Sequence, residues 1–250
     1  MQGPVQAPPG YTVIAREAVE STQDEIRALA AEGAADGTVL WAGLQRIGRG
    51  RLARLWDSPE GNLYVSLLVR TGIDLADAAQ LSFVTALAVF DALGRHLGGK
   101  ARLALKWPND VLLDGAKVAG ILLETETGTD GGQPLVVIGV GVNLVSHPAD
   151  AAYPATDLTS AGCGHLTPAG LLGDYLAAFA EWRQRWQDRG FAPVREAWLD
   201  RAAGLGGPVA ARMPGRTLTG RFVTLDERGA LVLETETGTR HSVTAGDVFF

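Results

Sequence analysis

Between Gln45 and Trp56 the chain reads Q-R-I-G-R-G-R-L-A-R-L-W, with Arg46, Arg49, Arg51 and Arg54 and no acid until Asp57. Gly48 and Gly50 are interleaved with these arginines. Guanidinium groups are planar donor forks that match phosphate or carboxylate, and glycines let backbone N–H groups approach an anion closely. The segment is therefore suited to gripping a phosphate. Two other readings are a mobile surface loop with scattered charge and an RNA-binding arginine–glycine segment. The latter is disfavoured because the segment is short, single and embedded in an acidic chain.

A second constellation, K-W-P-N-D at Lys106 to Asp110, follows the apolar run Leu103 to Leu105. Pro108 moves Trp107 out of helical geometry and fixes a turn, so that Lys106, Asn109 and Asp110 project from a rigid strand end. Of 22 basic residues, 19 are arginine and three are lysine: Lys100, Lys106 and Lys117. Codon bias explains most of such a ratio, yet a lysine that remains is a candidate for a specific task. Lys117 reads instead as a cross-strand partner of Asp110, a structural role worth about 0.2–1 kcal/mol if exposed. No G-x-x-x-x-G-K-[ST] loop and no G-x-G-x-x-G between strand and helix occurs, so the common nucleotide folds are not indicated.

These groups need a scaffold. Tyr11 to Ala15 predicts a short strand, and Ser21 with Asp24 a capping-box start for a helix through Glu32. Thr38 to Ala42 and Leu63 to Val69 predict strands on either side of the loop Gly43 to Asn62, and Leu75 to Leu97 one long buried helix. Val111 to Leu113 and Val118 to Glu124 flank Asp114-Gly115, a dipeptide suited to a two-residue hairpin. Gly128 to Gly132 predicts a turn and Leu135 to Leu144 a further strand. Thr167-Pro168 begins a helix whose stripe includes Leu172, Tyr175, Leu176, Phe179, Trp182 and Trp186, read as core. After Gly204 to Pro208, strands near Val209 to Met213, Leu218 to Leu225, Ala230 to Glu236 and Arg240 to Val243 predict a small β-barrel. LETETGT occurs at Leu123 to Thr129 and again at Leu233 to Thr239, as two strand exits without wider repetition.

The composition, 46% hydrophobic and 20% charged over 250 residues, is that of a folded chain of one or two domains. A net charge of −6 argues against general nucleic-acid binding. The lone Cys163 excludes an internal disulfide and fits a reducing cytoplasm, and the four histidines lack metal-ligand spacing. Met1 to Gly10 has no signal-peptide pattern, and the most apolar stretch, Leu81 to Leu93, is interrupted by Ser82, Thr85 and Asp91. A membrane span is not expected.

Three blocks in one order, GRGR-x-x-R-x-W with SP-x-GN-LY-x-S (Gly48 to Ser66), KWPND-(x)6-KVAGIL (Lys106 to Leu122) and VIGVGVN (Val137 to Asn143), resemble the biotin–protein ligase family. The likeness spans most of Ser21 to Asn143, and the strands of Pro208 to Val248 resemble that family's SH3-like domain. It implies an α+β fold of the class II synthetase type: a mixed, largely antiparallel sheet with packed helices at 11–203, and a C-terminal SH3-like β-barrel at 204–250. It further implies a cytoplasmic, ATP-dependent ligase that makes biotinyl-5′-AMP and passes biotin to a lysine of the biotin carboxyl carrier protein of acetyl-CoA carboxylase or a related carboxylase.

Carried over by position, Ser21, Thr22, Gln23 and Gln45 line the biotin site, and Arg49, Gly50 and Arg51 form the loop that closes on biotin and adenylate. Gly120 brings backbone close to the biotin head. Gly48, Arg51, Arg54, Trp56, Asn109 and Asn143 lie toward the nucleotide, and Lys106 sits between the biotin carboxylate and the α-phosphate, so that Lys106, Arg51 and Arg49 form the implied catalytic set. No protein-held metal is implied, and Mg²⁺ enters on the ATP phosphates. Gln23 stands where Asn is usual, and Ala53 where Gly is common, which disfavours a positive φ at that position. The family's bifunctional members carry an N-terminal DNA-binding domain; about ten residues precede the first strand here, so DNA binding is not expected. The sequence leaves open whether the chain forms a homodimer through a sheet edge. The alternatives are a lipoate or octanoate ligase, which shares the fold and the acyl-to-lysine chemistry, and a non-catalytic biotin-binding protein.

Overall fold

The computed structural model describes residues 4–70, 75–99, 101–126, 134–151 and 153–250. A seven-stranded sheet is built from β1 (Thr12–Val19), β2 (Thr38–Gln45), β3 (Leu63–Arg70), β4 (Leu103–Lys106), β5 (Asp110–Leu113), β6 (Ala116–Glu126) and β7 (Leu135–Val142). Its order is β1-β2-β3-β7-β6-β5-β4. Only β1 and β2 run parallel, so the sheet is mixed and largely antiparallel as predicted. The β5–β6 hairpin turns at Asp114 and Gly115, both at positive φ (50° and 83°), the geometry a two-residue primed turn requires.

Side chains alternate across a strand, so β7 serves two layers. Val136, Ile138, Val140 and Val142 enter the main core, together with α3 (Leu81–Leu97), α4 (Pro168–Arg189) and α5 (Ala192–Leu199). Leu135 and Val137 join a smaller cluster on the other face, under Ile26 and Ala30 of α1 (Thr22–Ala31). Gly139 and Gly141 continue that second face toward the start of α1, where their missing side chains let Gln23 and Trp56 lie directly on the sheet. The VIGVGVN block thus encodes a core face and a site face in a single strand.

Several predicted boundaries change. β1 is longer than predicted, and β2 runs on to Gln45. The long helix divides into the single turn α2 (Leu75–Ala78) and α3. Ser21 occupies the N-cap position of α1, but its side chain makes no capping bond; Asp24 pairs with Arg27 and Arg49 instead. Thr167 does cap α4, accepting from the Gly170 N–H, and the predicted aromatic stripe of α4 is buried. The predicted turn at Gly128 to Gly132 lies outside the described residues. Helix α5 was not foreseen.

The C-terminal strands β8 (Pro208–Met213), β9 (Arg216–Leu225), β10 (Leu231–Glu234), β11 (Arg240–Val243) and β12 (Asp247–Phe249) form an antiparallel sheet of order β11-β10-β9-β8-β12. This is the small C-terminal β-domain that the strand pattern predicts, and its barrel is not closed, because β11 and β12 do not pair. Its inner side chains, among them Phe222, Leu225 and Leu231, belong to the same core cluster as the large sheet. Trp107 Nε1 donates to the Gly229 carbonyl at 3.0 Å, and Arg195 Nε donates to the Leu225 carbonyl at 2.7 Å. The K-W-P-N-D turn is thereby tied to the C-terminal sheet.

Candidate functional site

A cavity of about 520 Å³ opens over the glycine-bearing part of the sheet. Thr22, Gln23, Gln45, Gly48, Arg49, Gly50, Arg51, Arg54, Trp56, Lys106, Asn109, Gly120 and Asn143 all line it. Ser21, buried next to Thr22, stands outside the wall.

The floor depends on glycine. Gly120 and Gly141 are register partners on β6 and β7. The Trp56 indole lies over both, and a Cβ on either would come within 2.9 Å and 2.6 Å of the ring. Gly139 is covered by Gln23, whose side chain would stand 3.1 Å from an added Cβ. Gly48 has no room for a Cβ either, because the Trp56 carbonyl and Ser58 Oγ occupy the space. Gly50 differs: a Cβ there would meet only the Arg54 carbonyl, at 3.5 Å.

One end is polar and uncharged. Gln45 Oε1 accepts from the Thr22 N–H and from Thr22 Oγ1, each at 2.9 Å, while Gln45 Nε2 donates to Ser58 Oγ at 3.0 Å. Ser66 Oγ donates to Thr22 Oγ1 at 2.8 Å. Gln23 Nε2 donates to the Leu122 carbonyl at 3.2 Å. The Gln23 Oε1 and Ser21 Oγ atoms are buried without a protein partner. A buried orphan acceptor costs about 1–3 kcal/mol, so a group that supplied N–H donors to Gln23 would recover that cost.

The other end is cationic, and its charges are held by protein acids. Arg49 pairs with Asp24 at 2.5 Å and lies 3.8 Å from Glu124. Arg51 donates to Asn109 Oδ1 at 3.1 Å and to the Gly246 carbonyl at 3.3 Å, and Asn109 in turn donates to the Ile121 carbonyl at 2.6 Å. Arg54 pairs with Asp247, which also accepts from Tyr153. Burial would raise the Asp247 carboxyl, but Arg54, Arg51 and Tyr153 together hold the group below its usual range.

Lys106 and Lys117 approach from adjoining strands. Lys117 Nζ pairs with Asp110 at 2.5 Å and lies 5.2 Å from the Trp56 ring centroid. Lys106 Nζ sits 4.8 Å from the Tyr153 ring and 5.8 Å from the Phe249 ring. Burial draws the Lys106 pKa below its usual 10.5, against the pull of Asp110.

The predicted Lys117–Asp110 ion pair is present, but it lies in the cavity wall and not merely on a hairpin. Tyr153, Asp247 and the Gly246 carbonyl were not anticipated. Asn143 acts by holding the wall: its Nδ2 donates to the Thr156 carbonyl at 3.0 Å, next to the pairing of Lys117 with Pro154 and Thr156. The scarcity of lysine and the block KVAGIL drew attention to Lys117, read then as structural, and no sequence pattern pointed to the C-terminal sheet as part of the wall.

The arginine loop is a tight turn. The Gly50 N–H donates to the Arg54 carbonyl at 2.8 Å, and Leu52 and Ala53 both adopt φ of 56°. The conformation disfavoured for Ala53 is thus the one it takes. Ala53→Gly is expected to raise stability by roughly 0.5–1 kcal/mol in urea unfolding, because glycine carries no left-handed penalty. A loss of stability would contradict this reading of the turn.

The profile of the biotin/lipoate A/B protein ligase family matches residues 17–143, and that of the biotin protein ligase C-terminal domain matches residues 204–250. A biotin–[acetyl-CoA-carboxylase] ligase of Paracoccus denitrificans is 48% identical over 211 residues, covering 82% of this chain and 87% of the relative. A bifunctional ligase/repressor of Bacillus subtilis is 34% identical over 236 residues, covering 92% of this chain and 71% of that protein. The structure of a biotin protein ligase from Aquifex aeolicus in complex with biotin and ATP superposes with a TM-score of 0.79 at 29% identity, covering 95% and 97% of the two chains. With matching profiles at both ends of the chain and that level of identity between them, the chain belongs to the biotin protein ligases of the biotin/lipoate A/B protein ligase family.

Proposed function

We propose that the chain activates biotin with ATP to biotinyl-5′-AMP and transfers the biotinyl group to a lysine of a biotin carboxyl carrier protein, as in acetyl-CoA carboxylase. The observation that carries this reading is the cavity itself, in which an uncharged polar end and a cationic end meet over one glycine floor. Its volume is in the range of small-molecule sites. The polar end, with Thr22, Gln23 and Gln45 on the wall and Ser21 buried behind them, suits the uncharged head of biotin, and Gly120 and Gly139 let Trp56 and Gln23 sit low enough on the sheet to leave it room. The cationic end, with Arg49, Arg51, Arg54, Lys106 and Lys117, suits a carboxylate next to phosphates. Trp56, Gly48, Asn109 and Asn143 shape the wall on which the nucleotide would rest.

In the first step a carboxylate oxygen of biotin attacks the α-phosphorus of ATP, the bond to the bridging oxygen breaks, and pyrophosphate leaves. Two anions must meet, so fixed cations that need no reorganisation at the moment of reaction lower the barrier. Asp110 and Asp247 are hard oxygen donors at this end, but Lys117 and Arg54 already engage them, so Mg²⁺ fits best as an ion carried by the triphosphate, where it neutralises charge. In the second step a neutral carrier amine attacks the acyl carbonyl, AMP leaves with the bonding pair, and the ammonium loses a proton. Loop closure at Arg49 to Arg51 would keep water from the mixed anhydride.

The catalytic part is read as 11–203 and the C-terminal part as 204–250, the latter supplying Gly246 and Asp247 to the wall. The outer edge of β1, unpaired among the described residues, is where a second copy would extend the sheet; sedimentation velocity with and without biotin and ATP checks this. Among the described residues no helix is long and apolar enough to cross a membrane.

Biotin-dependent exchange of labelled pyrophosphate into ATP by the purified chain is the expected result, with lipoate and octanoate inactive in parallel. Exchange with lipoate instead would keep the chemistry and change the substrate. Exchange with none of the acids would leave only ligand binding.

A further inference from the structure

The arginine loop contains the most exposed large apolar residues among those described. Leu52 is 68% and Leu55 81% exposed, and Ile47, where the same segment leaves β2, is 54% exposed. They belong to a loop whose cationic members turn inward to Asp24, Asn109 and Asp247. Of the apolar members, Ile47 and Leu52 lie outside the cavity wall, while Leu55 stands exposed at its mouth as part of the lining. Two successive left-handed residues at 52 and 53 give the chain its sharp reversal, and the Arg49–Leu55 bridge closes the base of the turn. The loop holds its cations at the cavity and its leucines at the rim.

Surface leucines one at a time need no explanation, but a group on a short strained turn at the mouth of a reactive cavity does. In the second half-reaction a lysine on a folded protein must pass this mouth to reach the acyl carbonyl. A macromolecular surface therefore has to sit against the rim. We propose that Leu52 and Leu55, flanked by Ile47, form the docking surface for the carrier protein, with the apolar contact occupied by residues beside the acceptor lysine. This rests on the functional reading given above and deepens it. The partner is a folded carrier domain, because its lysine must enter at this mouth, and not a second copy of this chain.

The two half-reactions make the proposal separable from the site's own chemistry. The double variant Ile47→Ser/Leu52→Ser, which leaves the cavity-lining Leu55 in place, would be compared with Ile47→Met/Leu52→Met and the unchanged chain in three assays. These are biotin-dependent pyrophosphate exchange, transfer of the activated acyl group to hydroxylamine, and biotin transfer to a purified apo biotin carboxyl carrier domain of acetyl-CoA carboxylase. The serine variant is expected to lose about tenfold or more in kcat/KM for the carrier, mostly through KM, as for truncated interface anchors. Exchange and hydroxamate formation should stay within about twofold, and the methionine variant should keep carrier transfer, since it keeps apolar area. A parallel fall in all three assays would overturn the proposal and make Ile47 and Leu52 part of the closed lid. Unchanged carrier transfer would overturn it as well. A chain without biotin-dependent exchange before any substitution would overturn the functional reading instead, and the docking proposal with it.

Discussion

Removing either cavity lysine is expected to slow biotin-dependent pyrophosphate exchange by roughly 10²–10³-fold, about 3–4 kcal/mol of transition-state stabilisation, the scale of other preorganised anion stabilisers. Lys106 and Lys117 flank Asp110, and the pair Lys117–Asp110 lies on the cavity wall. In Lys117→Ala the half-reaction loses a cation and also gains an uncompensated carboxylate facing incoming phosphates. Asp110→Asn should then recover part of the rate in the Lys117→Ala background, while slowing the unchanged chain, so the two effects should not add. Exchange undiminished in both alanine variants would remove the lysines from the mechanism. The pH profile gives an independent check on Lys106. Its charged form is the useful one, and burial lowers its pKa, so the rate should fall as pH rises through a value below 10.5. In Lys106→Ala that alkaline limb should disappear.

Asn62→Leu is expected to destabilise the fold by about 3 kcal/mol or more in urea unfolding and to impair nucleotide use in whatever fraction folds. The Asn62 side chain is buried, and its Oδ1 accepts from the backbone N–H groups of Leu144, Val145 and Ser146 at 2.8, 2.9 and 3.3 Å. Its Nδ2 donates to the Ser146 carbonyl at 2.9 Å. One side chain thus satisfies the chain as it leaves β7, directly after Asn143 and before the segment that carries Tyr153 to Thr156 along the cavity. Leucine fills a similar volume but leaves those donors and one acceptor without partners, each buried orphan costing about 1–3 kcal/mol. Asn62→Asp keeps an acceptor for the three N–H groups, whose donation favours a carboxylate, but sets a second oxygen against the Ser146 carbonyl, so its cost should be smaller than that of leucine without vanishing. Equal costs for the two variants would show that volume, and not hydrogen bonding, is what matters at this position.

Much of this architecture could be read from local pattern. The Asp114-Gly115 hairpin, the capped and aromatic-striped α4 and most strand cores are set by short-range chemistry: turn residues that accept positive φ, a proline at the first helical position, and periods of two and 3.6. The arginine loop and the K-W-P-N-D turn announced themselves by residue type, and the structure brings them to one cavity. Helix ends were less legible. The break between α2 and α3 and the unused side chain of Ser21 depend on neighbours remote in sequence, since Asp24 is drawn to Arg27 and Arg49 and does not close a capping box.

The sequence by itself determined which groups could carry the chemistry, because anion binding needs guanidinium and ammonium groups and close backbone approach needs glycine. Only the tertiary structure decided which of those groups share a site. Gly139 and Gly141 become a floor only because β7 lies between β3 and β6 with its odd-numbered residues turned from the core. Lys117 changes from a hairpin ion pair to a cation on the cavity wall because β5 and β6 pair beside that floor. Asp247 and Tyr153 meet Arg54 across separations of 193 and 99 residues. Such meetings follow from the burial of two sheets around one continuous core, a property of the whole chain that no local window of sequence contains.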